Sequence, residues 1–262
     1  MSSPSYAVRD SATMLRRDVV HSLRFPMMTI SGMAVPTFFL LLFVGVFGHT
    51  LRAGLGAVPA GESYVDYLTP GVILMTASAS AETTAVNVCT DMSEGIIARF
   101  RTMAISRTSV LAGQVVGSLI RALISVALVV VVAFALGFRP TATPVEWIAA
   151  TGVFAMLTLA LTWLAVAFGL VAQTPAGANS MALILVVLPF ISSAFVPTRS
   201  MPAGVRWFAH NQPFTPIIET LRGLLTGTAI GNCAILGAAW SAGLGAFGYL
   251  WARARYNDNR TG

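Results

Sequence analysis

The chain has 262 residues, of which 56% are hydrophobic and only 10% are charged, and its mean hydropathy is +0.77. Soluble domains average about 25% charged residues, so this composition excludes an ordinary water-soluble domain. All 16 basic residues are arginine, which excludes a phosphate-binding loop of the GxxxxGK[ST] type and hence an ATPase site of that kind within this sequence. The arginines cluster beside apolar blocks, so the net charge of +6 indicates membrane orientation rather than nucleic-acid binding.

Residues 1–25 form the first predicted element. Apolar residues from Val8 to Leu23 recur on one helical face, whereas Arg9 and Arg16 lie off that face. Such a pattern predicts an amphipathic helix lying in the cytoplasmic membrane interface. A disordered tail is the alternative.

Six apolar blocks then have about the length that crosses a bilayer as a helix. The sequence therefore predicts an all-α membrane protein with a six-helix transmembrane domain over residues 26–252 and a short cytoplasmic tail at 253–262. Serine and threonine dilute the second block, yet an even number of spans best explains the charge distribution. The predicted spans are Pro26–Gly48, Leu68–Val88, Val110–Phe138, Trp147–Val171, Asn179–Pro197 and Ile230–Ala252.

The arginines are distributed unequally between the two sides of this arrangement. Ten lie on the side of both termini, five on the opposite side, and Arg121 lies within a span. Because cytoplasmic loops carry the excess of basic residues, both termini are predicted to be cytoplasmic.

A cytoplasmic loop at residues 89–109 joins the second and third predicted spans. Met92, Ile96, Phe100 and Met103 recur at helical spacing along it. This stripe fits either an interfacial helix that covers the bilayer edge or a docking element for a cytoplasmic partner, and the periodicity alone does not distinguish them.

The opposite side carries a long stretch, residues 188–228, between the fifth and sixth spans. Prolines interrupt it repeatedly, but Ile217, Leu221 and Leu224 keep helical spacing. Since it is too apolar for a free loop and too broken to span, we predict a re-entrant or interfacial helical cap packed on the outer half of the bundle.

Candidate catalytic and metal-binding residues are few. His21, His49 and His210 are far apart in sequence and away from paired carboxylates, and Cys89 and Cys233 have no metal-ligand spacing. The sequence thus predicts a protein that is not an enzyme, with no metal site and no cofactor of its own.

Two ionisable residues, Glu82 and Arg121, fall inside predicted spans. An unpaired charge at mid-bilayer costs about 2.5–3.5 kcal/mol on insertion scales. Their predicted depths are similar, so the two side chains either join neighbouring helices as a pair or line a polar substrate path.

Two stretches and the order of elements resemble the permease subunits of ABC-2 type transporters, and most closely the daunorubicin/doxorubicin-resistance exporter subgroup. In the cytoplasmic loop the resemblance rests on Glu94, Gly95, Arg99, Arg101, Arg107 and Gly113, with Ile96 and Phe100 in the apolar stripe between them. In the outer cap it rests on Pro189, Ser193, Pro197, Met201, Pro202, Asn211, Pro213, Glu219, Arg222 and Gly223.

The resemblance implies a multi-pass subunit in the inner (plasma) membrane of a bacterium. It also implies a second permease subunit, the same or homologous, and two ATP-binding cassette subunits that dock on the 89–109 loop and carry ATP and magnesium. The expected substrate is a hydrophobic drug or secondary metabolite. The alternatives are a lipid or polysaccharide translocator with the same fold and a non-transporting membrane scaffold.

Overall fold

The computed structural model describes residues 26–46, 63–93 and 107–258. Within these ranges the protein contains eight α-helices, two short 3-10 helices and no strand, as the predicted all-α class requires. The predicted N-terminal helix and residues 94–106 of the predicted docking loop lie outside the described residues. The helices are α1 (Pro26–Gly45), α2 (Tyr64–Ser93), α3 (Arg107–Ala135), α4 (Pro144–Val171), α5 (Pro175–Val187), α6 (Ala203–Asn211), α7 (Phe214–Thr226) and α8 (Cys233–Asp258); the 3-10 helices are Leu188–Ile191 and Thr198–Ser200.

Six of these helices run antiparallel between two ends of a bundle. We call the end that carries α6 and α7 the cap end, and the end where residues 94–106 connect α2 to α3 the loop end. At the cap end, the Tyr67 hydroxyl donates to the carbonyl of Ser193, 2.9 Å away. At the loop end, the Cys89 thiol donates to the carbonyl of Ala172, which follows α4. Helix α2 is the central helix and packs against α1, α3, α4, α5 and α7.

Among the described residues, four helices are long and apolar enough to cross a membrane: α2, α4, the part of α3 from Gly113 to Ala135, and the part of α8 from Cys233 to Tyr256. The first and fifth predicted spans also form helices, but their apolar stretches are shorter, at Ala34–Gly45 and Pro175–Ile191. Six spans in total therefore stay a prediction.

The polar second span is a single helix of 30 residues, longer at both ends than predicted. Its threonine hydroxyls donate to backbone carbonyls one turn earlier, as Thr69 does to Val65 and Thr83 does to Ala79. These bonds satisfy the hydroxyl groups inside the helix, so side chains that lower the hydropathy are compatible with burial.

Two other helix boundaries differ from the predicted ones because capping, rather than hydropathy, sets them. Helix α4 begins at Pro144, where Thr143 and Glu146 form a capping box. Helix α5 begins at Pro175 after the N-cap residue Thr174. It gives way to 3-10 geometry near Pro189, which lacks the N–H that an α-helix needs.

The cap at residues 188–228 divides into two unlike helices. Ten of the 13 residues of α7 are buried against the bundle, and the helix ends at Gly227 in the left-handed conformation (φ 76°). In α6, by contrast, Ala209 alone is buried, and the side chain of Trp207 is 69% exposed. Neither helix has spanning length, which fits a helical cap; whether the cap is re-entrant stays a prediction.

Candidate functional site

The cap is attached to α2 by the buried side chain of Arg222. Its guanidinium donates to the carbonyl of Ser193 at 2.9 Å and to the carbonyl of Tyr67 at 3.2 Å. It also forms an ion pair with Glu219 at 2.7 Å and lies 3.8 Å from the centre of the Tyr67 ring. Arg222 is only 5% exposed, so these contacts are formed away from water. We call this set of four residues, Tyr67, Ser193, Glu219 and Arg222, the Arg222 clamp.

Close backbone packing brings the segment after α5 within reach of this clamp. A Cβ atom on Gly71 of α2 would lie 2.6 Å from the Cβ of Ala194, which no real pair of carbon atoms tolerates. Glycine at position 71 therefore allows residues 192–195 to lie directly on α2. Aromatic side chains complete the contact from the other side, because the rings of Phe43 in α1 and Phe195 are 4.7 Å apart.

The other predicted cap residues occupy structural positions around the clamp. Pro197 precedes the second 3-10 helix, and Pro202 and Pro213 precede α6 and α7. The amide of Asn211 donates to the carbonyl of Trp207 within α6. Of the ten cap residues on which the resemblance rests, the structure brings Ser193, Glu219 and Arg222 into contact.

A second polar cluster joins three helices in the middle of the bundle. The fully buried hydroxyl of Ser118 in α3 lies 2.9 Å from that of Thr84 and 3.1 Å from that of Ser80, both in α2. It also lies 3.2 Å from the hydroxyl of Thr162 in α4. Hydrogen bonds of this kind hold membrane helices together. Ser118 therefore links α2 to α3 and α4.

A third polar feature is a stripe along the loop-end half of α2. Its six members are half-buried, whereas most other residues of the helix are buried, and they recur at i, i+3, i+4, i+7, i+8 and i+11. This spacing places them on one face of the helix. We call it the α2 stripe; it consists of Ala79, Glu82, Thr83, Val86, Asn87 and Thr90.

The two predicted intramembrane charges lie at a similar depth. Glu82 is between Ser80 and Thr84 in sequence, and Arg121 is one turn from Ser118, which those two residues contact. At about 100° per residue, however, Glu82 points to the opposite face of α2 from Ser80 and Thr84. No hydrogen bond or ion pair within the described ranges joins Glu82 to Arg121, and their coupling stays a prediction.

The predicted docking residues Glu94, Gly95, Ile96, Arg99, Phe100 and Arg101 lie outside the described residues. Arg107 is the first residue of α3. Beside the loop, the side-chain amide of Gln114 in α3 donates to a carboxylate oxygen of Asp91 at 2.7 Å. This bond ties the loop-end parts of α2 and α3 together.

An apolar crevice of about 340 Å³, including its open mouth, lies between α2, α3, α4 and α7. Ile73, Trp147, Phe154 and Leu221 are among its lining residues. Its walls offer almost no polar surface, so the crevice suits only apolar groups. Across the described residues, no group of three or more His, Cys, Asp or Glu side chains is placed to hold a metal ion.

Sequence reasoning did not find Tyr67, Ser193 as a hydrogen-bond acceptor, or the Ser118 cluster. The partners in these contacts are 29 to 155 residues apart, and only the three-dimensional packing brings them together. The sequence signal available for the clamp was Arg222, a charged residue within an otherwise apolar helical segment.

Comparisons with known proteins agree with this architecture. A family model described as ABC-2 type transporter matches residues 10–226. A daunorubicin resistance ABC transporter permease protein of Streptomyces coeruleorubidus is 28% identical over 229 residues, covering 86% of this chain and 79% of its own. A probable doxorubicin resistance ABC transporter permease protein of Mycobacterium tuberculosis is 22% identical over 215 residues, covering 82% and 76%.

Proposed function

Because the chain belongs to the ABC-2 type transporter family, it is a transport permease subunit, and we propose that it moves hydrophobic or amphiphilic compounds out of the cell, driven by ATP. The relatives named for daunorubicin and doxorubicin resistance support a drug or secondary metabolite as the substrate. A separate chain hydrolyses ATP, since this sequence has no lysine for a phosphate-binding loop.

The observation that carries the proposal is the position of α2. With 30 residues at about 1.5 Å each, this helix is about 45 Å long. One end leads into the expected docking loop, and the other end is held by the Arg222 clamp. The Ser118 cluster connects it to α3 and α4 between those ends. A force applied to the loop end of α2 is thereby transmitted to the cap as a rigid-body tilt.

The complete transporter in this proposal contains two permease subunits and two ATP-binding cassette subunits. The ATPases carry ATP and magnesium and bind the cytoplasmic face of the plasma membrane, where both termini of the permease lie. In this proposal Glu94, Arg99 and Arg101, which are close in sequence to Phe100 of the apolar stripe, set the orientation of the ATPase on the loop.

Co-purification tests this docking role. The ATPase that co-purifies with the tagged permease is identified by its phosphate-binding loop. We expect Phe100→Ala and Arg101→Glu to lower the amount of bound ATPase at least about tenfold. Arg255→Glu is the matched control, because it reverses an exposed charge at the loop end of α8, outside the docking loop. All three variants should insert into the membrane in wild-type amounts.

The proposal fails if Phe100→Ala and Arg101→Glu bind the ATPase and stimulate its hydrolysis as the wild type does. In that case the loop is only an interfacial helix. A wild-type chain that binds no ATPase at all contradicts the transporter and favours the scaffold.

A further inference from the structure

The α2 stripe contains a carboxylate, that of Glu82, which forms no ion pair with any described residue. The hydroxyls of Thr83 and Thr90 donate to the carbonyls of Ala79 and Val86, so their donors are used within the helix. The side chains of Glu82 and Asn87 have no hydrogen-bond or ion-pair partner in the described part of the chain. Both side chains are half-buried.

Contact between the α2 stripe and lipid acyl chains is energetically unfavourable. Moving a carboxylate from water into contact with acyl chains at mid-membrane costs more free energy than moving any other side chain of the stripe, because nothing there replaces its hydration. Glu82 and Asn87 are five residues apart, about 140° around the helix, and therefore lie at the two edges of the stripe. Two hydrogen-bonding side chains at the edges of one surface instead favour a water-lined path that an exported molecule enters. Ala79 and Val86 lie between them around the helix and make the middle of this surface apolar.

Resting on the proposed function, we infer that the α2 stripe recognises substrate and that Glu82 selects amphiphiles with a protonated amine. The ammonium group lies against the Glu82 carboxylate, and Asn87 offers an amide to a hydroxyl or carbonyl of the same molecule. The apolar body lies along Ala79 and Val86. A neutral analogue leaves the carboxylate without a partner and binds less tightly.

A pair of probes that differ in one charge tests this selectivity. Daunorubicin carries a protonated amine, and N-acetyldaunorubicin carries a neutral amide at the same position. Binding of each to the full-length permease in phosphatidylcholine nanodiscs is measured from the change in probe fluorescence, against empty nanodiscs. We expect the wild type to bind the amine about tenfold more tightly or better, because a charge-assisted bond is lost with the amide.

Glu82→Gln should remove this preference while leaving the affinity for the amide within about twofold of wild type. Glu146→Gln is the matched control, because Glu146 is a carboxylate at the start of α4, outside the stripe, and glutamine also occurs at this position of a capping box. It should keep the full preference. A melting temperature within about 3 °C of wild type for both variants verifies that each one is folded.

The inference is overturned if the wild type binds amine and amide equally, binds neither, or if Glu82→Gln keeps the wild-type preference. Transport of the two probes with the ATPase separates this failure from failure of the proposed function. Export of both at rates that Glu82→Gln leaves unchanged contradicts only the role of Glu82. Export of neither contradicts the exporter itself.

Discussion

Replacing Arg222 with methionine should destabilise the folded protein strongly, because methionine keeps the apolar stem and removes every polar contact of the guanidinium. The guanidinium donates to two carbonyls and pairs with Glu219, and it is almost completely buried. The substitution leaves the carbonyl of Ser193 with one donor, the Tyr67 hydroxyl. It also leaves the carboxylate of Glu219 without its cation.

The size of the effect follows from these contacts. A hydrogen bond from a charged donor is worth about 1.5–3 kcal/mol, and breaking a buried ion pair costs about 3–5 kcal/mol. The Glu219 side chain is 34% exposed and can regain some hydration, so we expect the low end of that range, about 3 kcal/mol. For a protein of this size, such a loss lowers the melting temperature by roughly 6–12 °C.

Thermal unfolding in detergent measures this shift with a thiol-reactive fluorogenic dye. Cys89 is 1% exposed and reacts only when the bundle opens; Cys233 is replaced by alanine to remove background. Arg206→Met is the matched control, since Arg206 also donates to two carbonyls but is exposed on α6. Its loss should cost about 1 kcal/mol or less. Equal shifts for the two variants, or a shift below 2 °C for Arg222→Met, would refute this account of the clamp.

Three further outcomes follow from the packing. Ser118→Ala should lower stability by about 0.5–2 kcal/mol in the same melting assay, while Ser125→Ala, on the same helix, should change it by less than about 0.5 kcal/mol. Gly71→Ala should reduce both the melting temperature and the yield of inserted protein, because its methyl group has no room; Gly152→Ala, which meets no atom within 4 Å, should be neutral or stabilising. Alkaline phosphatase fused after Gly262 should be inactive, because the positive-inside pattern places that terminus in the cytoplasm; active phosphatase would reverse the topology.

Much of the fold could be predicted from hydropathy and periodicity, because the helices of a membrane protein must be long and apolar. Each of the six predicted spans overlaps a described helix, although the fifth helix ends at Val187, well before the predicted end at Pro197. The largest error in length was at α2, whose threonine hydroxyls bond to carbonyls such as those of Val65 and Ala79 within the helix. A hydropathy scale counts each such hydroxyl as if it needed water, and therefore ends the span too early.

Less of the candidate site could be predicted. The position of Glu82 within a span identified it as a candidate, but which face of α2 lies against α3, and hence where Glu82 lies relative to α3, depends on how the helices pack. The resemblance marked Arg222, whereas its acceptor Tyr67 lies 155 residues away and has no sequence signal. Long-range polar contacts of this type depend on helix rotation, and the apolar pattern of α2, buried on most of its circumference, does not specify that rotation.

The most direct test of the central claim is ATP-driven uptake of daunorubicin into inside-out vesicles that contain the permease with its co-purifying ATPase. The account predicts uptake that requires ATP and stops when the lysine of the ATPase phosphate-binding loop is replaced. It also predicts that the substitution Arg101→Glu in the permease abolishes uptake, although the vesicles still contain both the permease and the ATPase. Uptake that is independent of ATP hydrolysis, or unchanged by Arg101→Glu, would contradict a permease driven through the α2 connection.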